Sequence, residues 1–229
     1  MAHGHPLDRP VWSALATGWS KFALGDARAR RLDPAYGPFA ACADTSPESL
    51  AALAAMAPVE GVIARAEAEV QPVPPSLVAT VEAEAVQMVA DAITPGEPGF
   101  AYEALTDADA PEMLALATLT QPGPFAPRTN RLGDFIGVKM DGRLVAMAGE
   151  RMKIPGFREV SGVCTHPDHR GHGYAAGLMR VTARRMLARG ETPFLHAYAA
   201  HTATIRLYET LGFRIRRTIH ITMLARAKV

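Results

Sequence analysis

The chain has 229 residues, 48% hydrophobic and 21% charged, with a formal net charge of +1. That length and apolar content suffice for one large core or two small ones and exclude collagenous and wholly disordered classes. Two cysteines, Cys42 and Cys164, exclude a disulfide framework, and no apolar run reaches the length of a membrane span. The amino-terminal residues 1–5, Met-Ala-His-Gly-His, lack the charged and apolar regions of a signal peptide, so the expectation is a soluble, cytoplasmic protein.

Charge is uneven. Residues 1–98 carry 6 Lys/Arg against 12 Asp/Glu, a balance of −6, while residues 99–229 carry 18 against 11, a balance of +7. The arginines of the basic part are scattered, with no aromatic-interleaved patch, so no nucleic-acid partner is expected. Those at Arg180, Arg184, Arg185 and Arg189 read as a solvated helix face.

In chain order, Trp12, Leu15, Trp19 and Phe22 recur at three and four residues and predict a helix from Pro10 to about Ala27. Ser46-Pro47, a cap residue followed by proline at the first helical position, opens a second helix that buries Leu50, Leu53 and Met56. Gly61 to Ala66 reads as a short strand, Gln71 to Ser76 as a loop, and Leu77 to Ala92 as either strand or helix. Two prolines and two glycines in Thr94 to Gly99 then break the chain. This break divides it into a smaller α/β unit, 1–98, and a second domain, 99–229.

Past the break, Phe100 to Ala104 is expected as a strand, Ala108 to Leu119 as a helix, and the proline-rich 121–127 as a loop. Asp141-Gly142 is a hairpin turn between Phe135–Met140 and Arg143–Arg151. Glu159 to Thr165 follows as a central strand, then a helix from Tyr174 to Arg189 ended by Gly190. Pro193 to Tyr198 is a strand, Thr202 to Leu211 a helix, and Phe213 to Leu224 the final strand. This alternation predicts an α/β fold, a mixed sheet with helices on both faces.

The most informative stretch lies between the central strand and the helix at Tyr174, where Val163 to Thr165 passes through His166-Pro167 into Arg170-Gly171-His172-Gly173-Tyr174-Ala175. A helix N-terminus offers unpartnered N–H groups and partial positive charge, and glycines let an anion approach the backbone. Neither a dinucleotide-binding Gly-rich loop nor a P-loop is present. Histidines at 166, 169 and 172 lack the ligand set of a zinc site, so no metal is expected. Cys164, in a strand, reads as a small buried hydrophobe.

The spacing Arg170-x-x-Gly173-x-Ala175, followed by the block from His201 to Phe213 that includes Tyr208 and Gly212, resembles the GNAT superfamily of acyl-coenzyme A-dependent N-acyltransferases. The resemblance covers about residues 99–229, with the first 98 residues as a degenerate half of the same fold. It departs from the family at His201, usually Asn, and at Thr204, usually Ala. It implies a GNAT-type mixed sheet in which two strands splay apart to admit the pantetheine arm. It also implies acetyl-CoA as co-substrate, held by the backbone of Val163, Cys164 and Thr165 and by Arg170, Gly171, His172, Gly173, Tyr174 and Ala175. His201 would donate to a cofactor oxygen.

The implied chemistry is acetyl transfer to the amine of a small molecule, with Tyr208 as the acid that protonates the departing thiolate; a packing role for Tyr208 is the alternative. Glu159 is a candidate general base, placed on one strand face with Ser161, Val163 and Thr165, and its pKa would rise if it were buried. A solvent-facing Glu159 is the other reading, and Glu150 is a second candidate. Loop 121–127 would wall the acceptor site. Peptide or protein amines, or a non-catalytic acyl-CoA-binding module, remain alternatives, and a homodimer is allowed.

Overall fold

The computed structural model describes residues 4–227, so residues 1–3, part of the leader reading, lie outside the described residues. The elements are α1 (Pro10–Ala16), β1 (Ala23–Gly25), β2 (Ala29–Leu32), β3 (Ala40–Cys42), α2 (Pro47–Ala55), β4 (Ile63–Glu67), β5 (Leu77–Val89) and β6 (Glu103–Leu105). They continue with α3 (Ala110–Thr120), β7 (Phe135–Met140), β8 (Arg143–Ile154), β9 (Phe157–Thr165), α4 (Tyr174–Ala188), β10 (Thr192–Tyr198), α5 (Thr202–Thr210) and β11 (Arg214–Arg226).

Most of the predicted elements form. Ser46 caps α2 by accepting from the Ser49 N–H, and Asp141 and Gly142 take φ of 50° and 76°, the left-handed pair that a tight hairpin needs. The helix expected from Pro10 to Ala27 is shorter and stops at Ala16. Gly18 lies so close to Lys153 that a Cβ would sit 2.4 Å from its carbonyl oxygen, and Trp19 turns into the core, where its indole N–H donates to the Arg151 carbonyl at 3.0 Å. The apolar spacing at 19 and 22 therefore reflects burial by a 3-10 turn.

Eight strands form one mixed sheet in the order β4-β11-β5-β10-β9-β8-β7-β6, and β1-β2-β3 form a small antiparallel sheet. The division expected at residue 98 is not a boundary of the main sheet. Strands β4 and β5 belong to it, and β5 lies between β10 and β11, antiparallel to both. Residues 4–98 thus build no second copy of the fold.

On one face Met179, Ala183 and Met186 of α4, with Leu211 at the end of α5, pack against Met88, Val160 and Leu195, and Leu178 packs against Ile136, Val145 and Ala148. On the other, Val11 and Leu15 of α1, with Leu7 before it and Trp19 after it, pack against Met152, Phe194 and Ile219, and α3 packs Met113 and Leu116 against Met147 and Cys164. Among the described residues no helix is long and apolar enough to cross a membrane.

Candidate active site

Strands β9 and β10 pair in parallel only from Thr192–Phe157 to Phe194–Glu159, although β9 continues to Thr165 and β10 to Tyr198. Beyond Phe194 the two diverge, and β10 keeps its pairing with β5 on its far side. A bulge in β9 accompanies the divergence: Gly149 pairs with Ser161 but Met147 with Cys164, so β9 holds one extra residue there, and Gly162 takes φ 64°. The His166 N–H is bonded to the Val145 carbonyl on the β8 side. Strand alternation therefore turns the amides of Thr165 and Val163 toward the open wedge, whereas that of Cys164 points toward β8.

The bulge corrects the expected strand face. Counted straight through, Glu159, Ser161, Val163 and Thr165 would share a side. With one extra residue, Glu159 and Ser161 share it with Cys164 instead, which packs with Met147 beneath α3, while Val163 packs toward α4. Cys164 is buried and its thiol is pushed up to about 11, chiefly by burial, so it is a packing group and not a nucleophile.

At the mouth of the wedge, α4 begins after Gly173, which has φ 75°, and no side chain caps it. The first helical bond in this turn runs from the Gly177 N–H to the Gly173 carbonyl, and among the described residues the amides of residues 171–176 have no backbone or side-chain partner. A Cβ at Gly171 or Gly173 would meet no protein atom within 4 Å, so the space beside these amides is open. A cavity of about 490 Å³ lies there, lined by Val163, Cys164, Thr165, residues 169–176 and, from α5, Thr204, Leu207 and Tyr208. An open fifteen-residue helix N-terminus with glycine dihedrals suits a pyrophosphate. Among the described residues no cluster of His, Cys, Asp and Glu could hold a metal ion.

A second cavity, of about 480 Å³, meets the first at Thr120, Pro122, Val163, Arg170, Thr204 and Tyr208. Its floor is Ala64, Ala66 and Ala85 with Ile221 and Met223, and Phe39 and the loop at 121–124 form walls. The loop was expected as a wall; the floor was hidden in the sequence because it depends on β4 and β5 joining this sheet. His201, expected beside the cofactor, lines this second cavity and is absent from the lining of the first.

Tyr208 lines both cavities and the narrow apex between β9 and β10. Burial pushes its pKa up to about 12, so the hydroxyl is a proton donor at neutral pH.

Glu159 also lines the apex but is no free base. It is 1% exposed, and Arg151 grips both carboxylate oxygens, at 2.8 and 2.9 Å. Burial alone would raise its pKa, but the Arg151 charge and a hydrogen bond from His196 overcome that and hold it at about 2. The expected rise does not occur because burial brings a cation with it. The His196 Nδ1 lies 3.0 Å from Glu159, while its Nε2 lies 3.1 Å from the Gln87 carboxamide nitrogen, which also donates to the Leu7 carbonyl. This network places the His196 proton on Nδ1 and occupies both ring nitrogens. Glu150 is buried outside these cavities, paired with Arg189 at 2.6 Å.

Arg151, His196 and Gln87 escaped the sequence reading. Their signal was available: charged or amide residues inside apolar strands must find one another when the strands are buried.

The profile of the FR47-like protein family matches residues 136–221. A protein assigned to the GNAT family of acetyltransferases, from Novosphingobium aromaticivorans, is 47% identical, with a TM-score of 0.91 over 98% of this chain and 100% of that one. A GCN5-related N-acetyltransferase from Kribbella flavida shares the fold at 18% identity, with a TM-score of 0.62 over 95% of this chain and 94% of that one. A tandem GNAT protein of the clavulanic acid biosynthesis pathway shares it at 12% identity, with a TM-score of 0.55 over 88% of this chain and 78% of that one. A search of curated proteins finds no match. The chain belongs to the GNAT family, enzymes that move an acyl group from an acyl-CoA to an amine.

Proposed function

We propose that this enzyme transfers an acetyl group from acetyl-CoA to the amine of a small molecule by direct attack on the thioester. The observation that carries this reading is the meeting of two cavities at Tyr208, one bordered by the partnerless amides of residues 171–176. The pyrophosphate would rest on those amides and Arg170. The pantetheine arm would follow Val163 and Thr165 into the wedge, bringing the thioester to the apex.

An amine in the second cavity then attacks the carbonyl carbon. As the C–N bond forms, the carbonyl electrons move to oxygen, where a backbone N–H of β9 stabilises the oxyanion. Collapse breaks the C–S bond, and Tyr208 gives its proton to the departing sulfur. Glu159, Arg151 and His196 act as a rigid block that keeps the apex in shape. A cavity of about 480 Å³, closed on one side by Phe39 and on another by loop 121–124, suits a small acceptor better than a folded protein.

Thiol release from acetyl-CoA, measured across a panel of small amines and lysine-containing peptides, tests the reading. Amine-dependent release with at least one small amine, above every peptide, is expected. Release only with peptides would replace the small-molecule acceptor, and binding of acetyl-CoA without release on any amine would replace the enzyme by a binding module.

A further inference from the structure

An amine is protonated at neutral pH and must lose a proton to become acetylated, so the second cavity has to contain or admit a base. Its lining includes no aspartate or glutamate. The charged and titratable side chains that share it with His201 are Arg65, Arg151, Arg170, His196, Tyr198 and Tyr208. Arginines do not act as bases at any accessible pH. Both nitrogens of His196 are occupied, by Glu159 and Gln87. Tyr208 keeps its proton, and Tyr198 presents a phenolic O–H, a donor rather than a base.

His201 remains. It stands at the N-cap of α5, and residues 201, 204 and 208 are three and four apart, the spacing of one helical face; all three line the second cavity. Its ring packs edge-on against Tyr198, with centroids 5.6 Å apart. Among the described residues neither of its nitrogens has a hydrogen-bond partner in the protein, and the residue is exposed, so the imidazole is free to meet a ligand. Tyr208, one and a half turns further along the same face, stands at the apex.

We infer that His201 is the general base that takes the proton from the acceptor amine. This rests on the small-molecule transferase reading above and adds the second proton carrier to it. The ammonium first gives one proton to a ring nitrogen of His201, which passes it to solvent; the neutral amine then attacks, and His201 takes the second nitrogen proton as the tetrahedral intermediate collapses to the amide. Tyr208 supplies a different proton to the sulfur as the C–S bond breaks. The resulting imidazolium and phenolate then restore one another through solvent, so that amine and acetyl-CoA become amide and free thiol with no net change in the enzyme.

The test is His201→Gln, with His201→Asn as a second variant, assayed on the best small amine over pH 6 to 10 alongside calorimetric titration with acetyl-CoA. Because His201 is exposed, both variants should melt with the wild type. The expected result is a kcat lowered about a hundredfold near neutral pH, acetyl-CoA affinity within about threefold of wild type, and a gap that narrows at high pH as the free amine accumulates.

A kcat within about threefold of wild type with an unchanged pH profile would overturn the inference while leaving the enzyme reading intact. A loss of acetyl-CoA affinity at unchanged kcat would overturn it in favour of a cofactor contact. Wild-type protein that binds acetyl-CoA but turns over no amine would overturn both.

Discussion

Burial is the cause of the raised pKa of Tyr208, and at about 12 it leaves the phenol protonated throughout the physiological range. Replacing it with Phe keeps the ring that packs near Phe213 and removes the proton. Steady-state kinetics on Tyr208→Phe should show kcat lowered by about a hundredfold or more, with acetyl-CoA affinity little changed. A kcat within about threefold of wild type would make it a packing residue, the alternative that its sequence context also allowed.

Glu159 makes a prediction of a different kind. Its pKa falls from 4.5 to about 2 in the folded protein, where burial is outweighed by Arg151 and His196. A depressed carboxyl contributes stability that is complete above the unfolded value and is lost as pH falls through the folded one. The contribution is on the order of 3 kcal/mol, so chemical denaturation followed from pH 5 to pH 2 should show stability dropping across that interval. Glu159→Gln should flatten the dependence; a slope equal to that of wild type would show that other carboxylates carry it.

At the scale of elements, α2, the β7–β8 hairpin and α4 were legible because each carries a local signal: the Ser46-Pro47 cap, Asp141-Gly142 and Gly190. The side-chain order of β9 was not, because a bulge at Gly162 leaves no mark on a period-two pattern beyond a single glycine. The placement of β5 was illegible for another reason. Its pairing with β10 and β11 joins residues more than a hundred positions apart, and nothing local announces such a contact.

That placement is itself testable. In the sheet order β5 lies between β10 and β11, with the β11 register running from Arg214–Val89 to Arg226–Leu77. Residues 99–229 expressed without the first 98 should therefore lose the middle strand, expose the apolar edges of β10 and β11, and show no cooperative thermal transition. A soluble fragment that melts cooperatively would establish the division at residue 98 as a true domain boundary.

For the whole molecule, the sequence pointed correctly to the family, and the loop from Arg170 to Ala175 could be named because it is built from contiguous residues. The second cavity was only partly readable: loop 121–124 is local, whereas the floor at Ala64, Ala66, Ala85, Ile221 and Met223 comes from three strands brought together by the fold. The molecule thus divides its work, with the carboxy-terminal segment forming the cavity beside residues 169–176 and the amino-terminal segment lending most of the floor of the second cavity and, through Gln87, a prop for His196.

The central claim is that acetyl-CoA enters the wedge over the amides of residues 171–176. Calorimetric titration of acetyl-CoA into the wild type and into Gly173→Val tests it most directly. With φ 75° at this glycine a β-branched residue costs about 1–2 kcal/mol of local strain, but its Cβ would meet no protein atom, so the variant should still fold, as a thermal melt would verify. The prediction is one site per chain in the wild type and an affinity weaker by more than about 2 kcal/mol, roughly thirtyfold, in the variant. A folded Gly173→Val that binds acetyl-CoA as tightly as the wild type would place the cofactor elsewhere and contradict the account.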